Sequence, residues 1–330
     1  MADVYAMSFN TPNYSGMLFN KGNARHPLST LIGGRAKTTN HVEFVCGQYY
    51  TDGSATQPAI SESASLTAPD ATVVQRTQFT NVTQIFQETL AVSYAHESNM
   101  GTLSGVNIAN QVANPISEVD FQVAARMQKI ANDIEYTFVN GAYNKATTDA
   151  TINKTRGIVA AITTNTVAAG SAQLSVDMVT DALAKIYTAN APTDELVLLV
   201  DAVSARQLTQ DAANKHMAIV PASRTMAGLA LDTLVTPLGA VYIRLGAYLP
   251  SGTAILINPS VMAPVFQPVP GKGNFFLEEL AKVGAGTKYQ IFGQVGLDHG
   301  PEWYHAKITG IATSFSEAYP TINTIAVSGS

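Results

Sequence analysis

Near the end of the chain, His299, Glu302 and His305 bring two imidazoles and a carboxylate close together in sequence. That is the donor set of a zinc or related transition-metal site. Such a site needs its donors on one face, and Gly300–Pro301 interrupts the helix that would align them. The three therefore read as polar groups at a surface or interface, with no metal and no cofactor expected. Gly271–Lys272–Gly273 follows Pro270 and lacks the upstream spacing and the helix of a phosphate-binding loop, so it reads as a turn. The one cysteine, Cys46, lies in a strand-like run with no base to activate it. It reads as a small buried hydrophobe and allows no intramolecular disulfide. GxSxG, HExxH and CxxC patterns are absent. No titratable groups converge on nucleophile, base and electrophile roles, so no catalytic residue is assigned and an enzyme is not expected.

The other singled-out residues suit contact with a second chain. Tyr14 and Phe19 are isolated apolar groups in a Gly-, Asn- and Pro-rich opening segment. Arg76 and Glu88 carry opposite charges in an extended run and could pair with charges on a neighbouring subunit, or lie on a solvated face. Trp303, with Tyr304 and Tyr289, could anchor a partner, although a core role suits large aromatics better.

Composition points the same way. Charged residues are only 13% of the 330, about half the usual quarter for soluble proteins. A lone subunit ordinarily needs more surface charge to stay dispersed, whereas contact centres between copies are depleted in it. Net charge is −5 with no basic run, which argues against sequence-specific nucleic-acid binding. The opening MADVYAMSFNTPNYSG lacks a basic start and apolar core, so no secretory signal is expected. No apolar window reaches membrane-spanning length, and assembly in a cytoplasm is the default expectation.

The elements that would position these residues are legible in the spacing. Residues 1–38 read as an extended arm, too apolar for a disordered tail and too broken for a helix. HVEFVCGQYY (41–50) reads as a strand. A small-residue stretch, 51–71, leads to a second extended run at 72–92. Val82, Phe86, Leu90 and Val92 share one face of that run. Two such strands predict a long hairpin over 39–95, and an isolated hairpin is marginal in water. Ile116, Val119, Val123, Met127, Ile130, Ile134 and Phe138 form one helical stripe over about 115–140. Pro115 opens it and Gly141 closes it. Ser175 should cap a helix carrying Val176, Val179, Leu183, Ile186 and Tyr187. ELVLLVD (195–201) reads as a strand buried on both faces, and Asp201 should cap the next helix. Strand-like runs follow at 231–245, 254–269 and 275–313, and no repeat of 20 to 50 residues is found.

Four stretches carry a family resemblance: NYSGMLFNKGNARHPLSTLIGG, RTQFTNVTQIFQETLAVS, NDIEYTFVNGAYN with KTRGI, and GQVGLDHGPEWYHAKITG. In that order they resemble the SU10-like group of tailed-bacteriophage major capsid proteins, built on the HK97-type capsid fold. The resemblance implies an α+β subunit with an N-terminal arm (1–38) and a long β-hairpin, the E-loop (39–95). It also implies a peripheral domain with a spine helix (96–171 and 271–330) and an axial α/β domain (172–270). The implied function is self-assembly through pentamers and hexamers into a phage head enclosing double-stranded DNA; an encapsulin-like protein nanocompartment is the alternative. Portal and scaffolding or decoration proteins are the implied partners, with no membrane partner, and the virion is the implied location. Some relatives link a hairpin lysine covalently to an asparagine of another subunit. Residues 38–128 here contain no lysine, so that bond is chemically unavailable through this hairpin.

Overall fold

The computed structural model describes residues 25–50, 55–68, 70, 73–95, 118–217, 219–226, 229–282 and 284–316. Its strands, in chain order, are β1 (Lys37–Thr38), β2 (Glu43–Tyr50), β3 (Arg76–Val82), β4 (Gln84–Ser93), β5 (Thr166–Ala168), β6 (Leu196–Val200) and β7 (Ile219–Met226). They continue with β8 (Leu229–Thr236), β9 (Gly239–Leu245), β10 (Thr253–Ile257), β11 (Ala263–Phe266), β12 (Phe275–Glu279), β13 (Gly286–Asp298) and β14 (Ala306–Thr309).

Seven strands form one mixed sheet in the order β5-β14-β10-β6-β9-β8-β7. All five residues of β6 and all five of β10 are buried, as their unbroken apolar runs require when both faces of a sheet are covered. Leu196, Leu198, Val200 and Leu256 face helices Val176–Thr188 and Ala202–Asn214. The alternate residues Val197, Leu199, Ile255 and Ile257 face the second core, with Ile130 and Phe138 of the long helix Glu118–Asn140. A period of two thus feeds two cores from one strand. Both predicted caps are present: Ser175 Oγ accepts from Met178 N at 3.3 Å, and Asp201 Oδ1 from Ser204 N at 2.6 Å.

The second sheet is built around β13. Its full edge from Gly286 to Val295 pairs antiparallel with β4, and its other edge pairs with β12 and then β11. Val82, Phe86, Leu90 and Val92 are buried as their alternation predicts. The second extended run is nevertheless not one strand. β3 pairs with β2, the chain breaks pairing at Thr83, and β4 leaves the hairpin for β13. The two-stranded hairpin therefore ends at Val82, not near residue 95.

Sheet membership also crosses the expected domain boundaries. β5 and β14 join the seven-stranded sheet although 96–171 and 271–330 were assigned to the other domain, while β11 pairs with β13. Parallel pairing of β14 with β5 and antiparallel pairing of β14 with β10 draw them in. The helical stripe is buried at Ile130 and Phe138 but leaves Met127 42% exposed. Pro115 and Ile116 lie outside the described residues.

Candidate assembly interface

The described parts of the four stretches that carry the family resemblance fold together at one junction. The end of the arm supplies a short helix, Pro27–Ile32, whose exposed N–H groups need acceptors. Glu135, fully buried on the long helix, provides them: its carboxylate accepts from Leu28 N and Ser29 N at 2.8 Å each, and from Ser29 Oγ. Burial pushes the Glu135 carboxyl up despite these donors. Beside it, His26 Nε2 meets Asn132 Oδ1 at 2.8 Å.

The long helix ends against the loop that follows it. Gly157 N donates to Gly141 O at 2.8 Å. A Cβ on Gly157 would lie 2.4 Å from Gly141 N and 2.8 Å from the carbonyl oxygens of Thr137 and Val139. Only backbone with no side chain fits that closely. Asn81, fully buried at the end of β3, donates to Leu297 O and Arg156 O, and its Oδ1 accepts from Arg156 N. One amide thereby ties the foot of the hairpin to β13 and to the loop.

Aromatic rings complete the seat. Phe79 of β3 stacks on His299 with centroids 5.8 Å apart and planes 13° apart, and Trp303 meets both Tyr49 and Phe79 edge-on. Trp303 therefore anchors the hairpin of its own subunit while also packing against the first core. Cys46 is buried at the same foot, where desolvation pushes its thiol up to about 12; a thiol at that value is no nucleophile at neutral pH.

The histidine cluster differs from its expectation. His299 and His305 are buried, at 2% and 0% exposure, not surface groups. His305 Nδ1 accepts from Asn258 N and its Nε2 donates to His299 O, while burial lowers its pKa to about 4. Glu302 turns away and accepts from the backbone N–H groups of Thr163 and Thr164. No group of metal-ligand type gathers among the described residues. The spacing of these three residues carried no information on their depth.

The predicted contact residues divide. Arg76 is exposed at the start of β3 and meets no carboxylate among the described residues. Glu88 is engaged within its own subunit, by Arg126 Nη1 at 3.2 Å and by Lys129 Nζ. It faces inward because it shares the β4 face with Phe86 and Leu90, opposite the long helix. Tyr14 and Phe19 lie outside the described residues.

Beyond the foot, the described part of the hairpin is exposed. Every described residue from Gln48 to Gln78 is exposed, including Ile60 at 69%, Leu66 at 87% and Val73 at 87%. A doubly covered sheet, a spine-like helix and a hairpin seated at its foot define the HK97 type of capsid fold.

The comparisons agree. The family model of the SU10 major capsid protein matches residues 3–312. The chain belongs to that family and is a phage major capsid protein, a structural component of the virion. Among solved structures it is similar in fold to the capsid subunit of cyanophage A-1(L), at TM-score 0.63 and 11% identity, covering 90% of this chain and 95% of that one. Similar too are the SrpI encapsulin of Synechococcus elongatus (TM-score 0.61, 11%, covering 93% and 95%) and a protein of Mycobacterium phage Patience (0.58, 11%, covering 89% and 84%). A search of curated proteins finds no match.

Proposed function

We propose that this subunit forms rings of five and six that close into a phage head around double-stranded DNA, assembled in the host cytoplasm. Supporting this most directly are the described residues of the hairpin from Gln48 to Gln78, all exposed, among them Ile60, Leu66 and Val73. The hairpin would lie over the adjacent subunit. The sheet built on β13, with the long helix, would form the periphery of each ring. The seven-stranded sheet would point its β7–β8–β9 end, where Val220, Val235 and Leu238 are exposed, at the ring centre. A net charge of −5 suits a wall that encloses DNA without gripping it. Portal and scaffolding or decoration proteins are the expected partners. Contacts between copies are non-covalent, and each can be weak because many act at once.

Deletion of residues 51–71 tests the role of the hairpin. The expected product is a folded subunit, by circular dichroism and size-exclusion chromatography, that forms no closed particles in negative-stain microscopy. Normal particles from this deletion would sink the proposal.

A further inference from the structure

Beyond the paired strands the hairpin tip carries acids and no cation, the nearest being Arg76 at the start of β3. From Gly47 to Gln75 the sequence contains Asp52, Glu62 and Asp70 and no lysine, arginine or histidine. It also exposes Ile60, Leu66 and Val73. A surface that receives it should offer cations beside exposed apolar groups.

The loop after the long helix has that character. Between Gly141 and Gly157 it carries Lys145, Lys154 and Arg156 against a single acid, Asp149, and it exposes Ile152 at 64% and Tyr143 at 36%. Arg156 lies over the Tyr143 ring at 4.5 Å. Lys154 is exposed and its ammonium meets no carboxylate among the described residues. The loop is held in shape despite its exposure. Asn144 and Lys154 exchange backbone hydrogen bonds at 2.8 and 3.0 Å, and Thr151 Oγ1 accepts from Thr147 N and Thr148 N. Bracing of this kind lowers the ordering cost of an incoming partner.

The loop stands at the foot of its own hairpin. Lys145 pairs with Glu43, the first residue of β2, and Asn81 near the end of β3 binds Arg156. The paired stretch of β2 and β3, from Glu43–Val82 to Tyr50–Arg76, carries the tip away from that foot along a ladder of roughly 20 Å. With the hairpin extended, a donor at one end of the ladder and an acceptor at the other meet between copies, head to tail, the kind of contact that generates rings. Resting on the proposed shell function, we infer that residues 143–156 are the seat for the acidic hairpin tip of the adjacent subunit, with Lys154 facing its carboxylates and Ile152 its apolar groups.

Charge reversal in the full chain tests this. Lys154→Glu and Glu62→Lys should each lower particle yield by about tenfold, since one repelling contact recurs in every subunit, and the double variant should restore it. A second readout uses Leu66→Cys with Ile152→Cys. Cys46 is buried, so oxidised particles should give a ladder of linked copies on non-reducing gels, absent from either single variant. Particles of normal yield from both reversals, with no ladder, would overturn the inference while leaving the shell function standing. Lack of particles from the unaltered chain would instead count against the shell function itself. If Lys154→Glu weakened binding of double-stranded DNA and left yield unchanged, the loop would be a nucleic-acid contact and the inference would fail.

Discussion

Glu135 shows how a single buried carboxylate holds two distant parts of the chain together. Its partners, Leu28 and Ser29, lie more than a hundred residues away. Two of its three donors are backbone groups at the start of a helix. Truncation strands buried donors, so Glu135→Ala should cost about 2–4 kcal/mol, measured by urea denaturation of dilute subunits. A loss under about 0.5 kcal/mol, the range of ordinary surface changes, would contradict that role. His305 gives a pH dependence whose sign is fixed by its burial. Its folded value of about 4 lies below the usual 6.5, so the fold holds it neutral. Its contribution is complete above pH 6.5 and is lost as pH falls toward 4, because the unfolded chain takes up the proton first. The shift corresponds to roughly 3 kcal/mol across that window. His299, also lowered by burial, adds in the same direction, whereas the raised carboxyl of Glu135 acts against it. Denaturation midpoints should fall between about pH 6.5 and 5, before most carboxylates titrate; a flat profile there would contradict the assignment.

At the scale of elements, the lock between the long helix and the loop after it is the sharpest feature. Around Gly157 the near atoms are all backbone, which cannot move aside as a side-chain end can. Gly157→Ala should therefore destabilise by about 2–4 kcal/mol or prevent folding. Gly33→Ala, with nothing within 4 Å of its would-be Cβ, should stay within about 0.5 kcal/mol. Equal melting temperatures for the two variants would refute the lock. Elements of this kind were legible where one rule acts within a short window. The helical stripe, the caps at Ser175 and Asp201, and buried β6 all follow from local spacing. The split between β3 and β4 was not, because alternation reports which face is buried and is blind to a change of pairing partner at Thr83. β7 left no pattern either, since Pro221 and a register shift between Val220 and Arg224 break its alternation. The junction around Asn81, Glu135 and Gly157 was visible only as four stretches of family resemblance. The contacts of Asn81 and Glu135 span 75 to 216 residues, and no periodicity encodes such distances.

For the whole molecule, the low charge and the uncovered apolar groups have one physical consequence. Contacts between copies should be driven mainly by removal of apolar surface from water, with the few charges choosing register. Such association weakens on cooling, because the hydrophobic contribution is largely entropic near room temperature. The subunit concentration at which shells first form, followed by light scattering, should therefore rise between about 37 and 5 °C. Sulfate should lower it, being excluded from protein surface. Sodium chloride should have a smaller effect on the unaltered chain, yet it should partly rescue Lys154→Glu by screening the repulsion that this substitution creates. Kinetic trapping makes closed shells resist dissolution, so the measurement must follow assembly from dissociated subunits. A threshold that fell on cooling and rose steeply with sodium chloride would mean that ion pairs, not apolar burial, hold the copies together. The low charge content of the sequence would then need another cause.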